Sequence, residues 1–110
     1  MLAIAVLLLG LSTPSSPQEN DAVIAAHMEY MKLSFACDGA SSTYRASKAA
    51  ALRAIKQYDP SNYTARDITG LDRGLRDGAM KLATPIDTSD CENLLIEAKS
   101  DLDDLVDKAH

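Results

Sequence analysis

Two cysteines, Cys37 and Cys91, are the only ones in the chain, and each stands at an end of a helical apolar pattern. Cys37 closes the first pattern and Cys91 opens the last. Any fold for this sequence must bring those two helix ends together or leave two isolated thiols. Which of these holds depends on the compartment, because distant cysteines pair in oxidising surroundings and stay reduced in the cytosol.

The first residues speak to the compartment. The stretch from Met1 to Gln18 is apolar through Leu9, then small, then proline-bearing, with no charge before Glu19. A run this short falls below the ~20 apolar residues of a membrane span and reads as a signal peptide over residues 1–18. It has no positive start and no A-x-A cleavage triplet, so Gly10-x-Ser12 or Thr13-x-Ser15 must serve. Export to the periplasm or outside is the expectation, with residues 19–110 as one domain. At that size a single staple matters to stability.

The remaining patterns are helical. Asn20 is the expected N-cap of a first helix from about Asp21 to Cys37, with Ile24, Met28, Met31 and Phe35 as its stripe. Val23, His27, Tyr30 and Cys37 lie along one edge, and Asp38-Gly39 is the stop. A second helix runs from about Thr43 to Tyr58 on Tyr44, Ala51, Ile55 and Tyr58, with Leu52 beside them, and ends at Asp59-Pro60. Thr64 and Asp67 form a variant capping box for a third helix on Ile68, Leu71, Leu75, Ala79 and Leu82. That helix carries Gly70, Gly74 and Gly78 four apart, and each glycine costs ~1 kcal/mol against alanine. The spacing suits either close helix packing or an irregular segment. Thr84-Pro85 breaks the chain, and Ser89 with Glu92 forms a full capping box for the last helix. Its stripe, Cys91, Leu95, Ala98, Leu102, Leu105 and Ala109, is the most regular in the chain, with Leu94 and Val106 widening it.

Four helices with short connections predict an all-α, up-down four-helix bundle. In that topology the end of the first helix and the start of the last lie at one end of the bundle. Cys37 and Cys91 can then join, closing a loop over the 53 residues between them.

Chemistry is scarce. No G-x-S-x-G elbow, phosphate loop, H-E-x-x-H or C-x-x-C-H is present, and paired thiols offer no nucleophile, so the chain reads as no enzyme and as carrying no cofactor or metal. His27 reads as a packed or rim residue and His110 as a frayed end. A haem held by Met28 or Met31 with His110 is the cofactor alternative, but methionine in such a stripe is ordinary core. Net charge of −5 argues against nucleic acid. The charge is polarised: residues 32–81 carry nine Lys/Arg and five Asp/Glu, whereas residues 86–110 carry two and eight. Asp101, Asp104 and Asp107 recur at helical spacing but lack a calcium-loop pattern and read as a solvated face. The cluster of Gly70, Asp72, Arg73, Gly74, Arg76 and Asp77 is the expected partner contact. Asn62-Tyr63-Thr64 is a glycosylation triplet whose use depends on the source.

Scattered positions carry one resemblance. Phe35-Ala36-Cys37, the alanine-rich run from Ala46 to Ile55, and Cys91 through Leu94-Leu95 to Asp103-Asp104-Leu105-Val106 resemble the small exported immunity proteins that neutralise peptidoglycan amidases of type VI secretion. The stretch from Gly70 to Gly78 has no counterpart there. The resemblance implies an all-helical fold, a Cys37–Cys91 disulfide, and a homodimer whose loop or groove plugs an amidase cleft. It maps no toxin-contact residue. Against this binding role stand two other classes. One is a periplasmic acid-stress chaperone that loosens as its sixteen carboxylates protonate; the other is a small-ligand or haem carrier.

Overall fold

The computed structural model describes residues 17–82 and 85–109. The signal-peptide reading falls largely on residues 1–16, and Thr84 and His110 also lie outside the described residues. Among the described residues the regular structure is all helical. Helix α1 spans Pro17–Asp38, α2 Ser42–Tyr58, α3 Ala65–Arg76 and α4 Cys91–Lys108, with one 3₁₀ turn at Thr88–Asp90 before α4. No described helix is long and apolar enough to cross a membrane.

Helix α1 is longer than its stripe predicts. Asn20 lies inside it and is not its boundary; Pro17 is its first residue, where a missing N–H costs little. The far end is as expected. Gly39 takes a left-handed φ of 61° and its N–H donates to Phe35 O at 2.8 Å. Ser41 caps α2 by accepting from Tyr44 N at 3.2 Å, and Asp59, at φ 46°, ends that helix before Pro60. The loop that follows is tied back to α1. Asp21 accepts from Ser61 N, Asn62 N and Asn62 Nδ2 at 2.8, 3.1 and 2.6 Å. At the start of α3 the Asp67 carboxylate accepts from Thr64 N at 2.7 Å, the return half of the expected box.

Two further boundaries differ from expectation. Helix α3 stops at Arg76, so Ala79 and Leu82 are not helical. Gly78 takes φ 80°, and Met80 N donates back to Gly74 O at 2.9 Å, turning the chain over the last turn of α3. The Ser89–Glu92 box does not form. The extended cap position is Asp87, whose side chain accepts from Ser89 N at 3.0 Å, so the helical run begins earlier, as the 3₁₀ turn. Those bonds from Ser89 hold the exposed Asp87 carboxyl below its usual value.

Helix α1 is the common wall against which α2, α3 and α4 all pack, while α2 also meets α3. The larger core joins Ile24 and Met31 of α1 to Tyr44, Ala51 and Ala54 of α2 and Ile68, Leu71 and Leu75 of α3. The smaller joins Val23 to Leu102 and Ala109, with Leu105 and Val106 packed beside them. The edge carrying Val23 is thus a second packing seam. The regular stripe of α4 buries fully only Leu102 within the helix, and Ile96 stands 62% exposed.

Candidate protein-binding cleft

The described residues 77–82 and 85–90 form a strap between α3 and α4. It is fastened at both ends. At its far end Cys91 is bonded to Cys37, with Cα atoms 5.8 Å apart, which carries the strap across the C-terminal end of α1. At its near end Met80 lies on buried Gly74, where a Cβ would meet the methionine side chain. Asp77 accepts from Ala79 N at 3.1 Å and fixes the turn.

Between strap and helices lies a cleft of about 410 Å³. Phe35 and Leu75 form its inner wall, and Met80, Leu82 and Ile86 its strap side. Lys32 and Lys81 stand at its rim, and Met80 is 43% exposed. Leu82 and Ile86 also border a second cleft on the other flank, formed with Leu33, Leu94 and Ala98 and edged by Glu29, Glu97 and Asp101. The strap therefore has a basic flank and an acidic flank, both apolar within. Lys32 and Glu29, 2.9 Å apart, mark the seam between them.

The inner wall is held from behind. The Phe35 and Tyr44 rings meet edge to face with centroids 5.1 Å apart. The fully buried Tyr44 donates to Asp72 Oδ1 at 2.6 Å, and Asp72 also accepts from Lys48 Nζ at 3.0 Å and Arg76 Nε at 2.9 Å. The Arg76 guanidinium lies 5.8 Å from the Tyr44 ring centre. Burial pushes the Asp72 carboxyl up, but the bonds from Tyr44, Lys48 and Arg76 outweigh it and hold the group at about 2. Burial, then the bond to Asp72 and its charge, push the Tyr44 phenol far up.

The expected contact cluster is thereby divided. Asp72 and Arg76 join α3 to α2, Gly74 receives Met80, and Asp77 fixes the turn. Gly70 and Arg73 remain on the exposed side of α3. Of the strap residues, Met80 and Ile86 escaped the sequence reading, which places Leu82 in the third helix. The available signal was an apolar run between Gly78, a helix stop, and Pro85. Of the haem candidates, Met31 is fully buried and Met28 packs against the same core. Among the described residues no three His, Cys, Asp or Glu side chains gather to hold a metal, and Asp101, Asp104 and Asp107 are exposed.

Compared with family models, with curated proteins and with solved structures, the chain finds no match.

Proposed function

We propose that this chain is an exported, disulfide-closed helical protein that binds another protein without catalysing a reaction on it, in the manner of an immunity or inhibitor protein. One observation carries the proposal: the apolar cleft beneath the strap, with Met80 exposed at its edge and lysines at its rim. Apolar surface of this kind, rimmed by charge, is the usual form of a protein contact. The disulfide supports an oxidising compartment, periplasmic or extracellular, reached through a signal peptide over residues 1–18 that is removed on export. In this reading the four helices are arranged as an up-down bundle. As an immunity protein the chain would seat a segment of a peptidoglycan amidase against the strap, whose position the disulfide maintains.

A photo-crosslinking amino acid placed at Met80 tests this reading. In the exporting cell it captures a single second protein, whereas the same group at exposed Arg66 captures none. Equal or no capture from both positions contradicts the reading.

A further inference from the structure

A further groove lies between α2 and α4 and owes nothing to the strap. Its floor is α1 at His27, one wall is α2 at Ala46, Ala50 and Arg53, and the other is α4 at Lys99 and Leu102. It encloses about 480 Å³ and continues past Arg53 toward Tyr58 and Val106. In a chain of net charge −5, no carboxylate among the described residues lines either part. Three basic side chains from three helices converge there instead.

These groups are poorly matched within the chain. Arg53 has neither hydrogen bond nor ion pair among the described residues. Lys99 pairs only along its own helix with Asp103, at 2.7 Å, and both side chains are more than half exposed. Exposed pairs of that kind are weak and yield readily to a better acceptor. His27 is half-buried; that burial, then Lys99 and Arg53, hold its imidazole below the ordinary 6.5. Facing it are Arg53 from α2, Lys99 with its partner Asp103 from α4, and Tyr30 from α1.

We propose that this groove is a binding site for a small organic anion, a carboxylate or phosphate group on a compact hydrocarbon body. The head group sits among His27, Arg53 and Lys99, and the hydrocarbon lies along Ala46, Ala50 and Leu102. The alanines supply room and an apolar wall, and the volume falls within the ~300–1,000 Å³ of small-molecule pockets. An anion there satisfies Arg53, offsets the repulsion between cations and lets the imidazole take up a proton to become a third charged donor. The site is independent of the cleft under the strap and of any protein partner.

The test is a nuclear magnetic resonance titration of the oxidised, mature chain with hexanoate and with hexyl phosphate, following the His27 Cε1 proton across pH. Saturable shifts, with the His27 midpoint raised by the bound anion, are expected. Arg53→Gln with Lys99→Gln weakens binding by about tenfold or more. Asp103→Asn, which frees Lys99, strengthens it. Preference for one probe assigns the head group. Absence of saturation by both probes, or equal binding by the double variant, overturns the proposal.

Discussion

Tyr44 Oη donates a 2.6 Å hydrogen bond to Asp72 Oδ1, joining α2 to α3 across 28 positions of sequence. Both are well enclosed, Tyr44 completely and the Asp72 side chain to 13% exposure, so the bond is not traded easily for water. With Lys48 and Arg76 it makes Asp72 the polar joint behind the cleft wall. Tyr44→Phe should destabilise the fold by about 1 kcal/mol, and Asp72→Asn by about 2 kcal/mol, as measured by urea unfolding at neutral pH.

The same joint sets an acid limit. The Asp72 value of about 2 lies below the ordinary 3.8. Its stabilisation is therefore complete above about pH 4 and is lost as pH falls through about 2. Between those values this carboxylate alone should remove about 1–2 kcal/mol from the unfolding free energy. Asp72→Asn should flatten that part of the stability–pH curve. An unchanged slope in the variant would assign the acid sensitivity to other carboxylates.

The glycines of α3 should respond with opposite signs. A Cβ at Gly70 meets nothing within 4 Å, so Gly70→Ala should stabilise by up to about 1 kcal/mol through helix propensity. A Cβ at Gly74 meets Met80, whose own Cβ is 3.2 Å away, so Gly74→Ala should destabilise by about 1–2 kcal/mol and displace the strap. Thermal unfolding of the two variants checks the signs.

Ser34 is completely buried in α1 and its hydroxyl finds no hydrogen-bond partner among the described residues. Ser34→Ala should then leave stability unchanged or raise it by up to about 1 kcal/mol, since the hydroxyl carries a desolvation cost with no return. A loss of 1 kcal/mol or more on denaturant unfolding would mean that the hydroxyl has a partner.

The disulfide should contribute about 4 kcal/mol, the chain-entropy value for cysteines 54 positions apart. Against a typical domain stability of ~5–15 kcal/mol this is a large share. Replacing both cysteines with serine should lower the denaturation midpoint accordingly. It should also speed amide exchange from Asp77 to Asp90 while the α2–α3 core stays protected, because the strap is the part that the bridge holds.

Much of the helical frame is readable in local signals. Asp38-Gly39 and Asp59-Pro60 stop α1 and α2 because each places a left-handed residue where the helix ends. The Cys37–Cys91 pairing follows from two helix ends meeting at one place. The glycine spacing misleads, because a period of four is helical whether the third glycine continues the helix or turns out of it. Gly78, at φ 80°, stands in the same Asp-Gly pair that stops α1, but its fourfold spacing from Gly70 and Gly74, both in the helix, masks that signal. Asp72 was legible as a charged residue beside those glycines, but its pairing with a phenol 28 residues away was not. The stripe of α4 is regular, yet the pattern does not say how many neighbours will cover it, and α1 alone packs against it extensively. Strap and cleft lay beyond reach because they depend on where a non-helical segment crosses α1.

The claim that the cleft under the strap binds another protein is tested most directly by matched capture. Tagged wild-type chain, Met80→Glu and Ile96→Glu are exported, purified from the same cells without reductant, and their bound proteins compared by quantitative mass spectrometry. The account predicts one partner held equally by wild type and Ile96→Glu, whose change lies outside the cleft, and lost from Met80→Glu. A partner retained by Met80→Glu, or no protein enriched on the wild type, would contradict it.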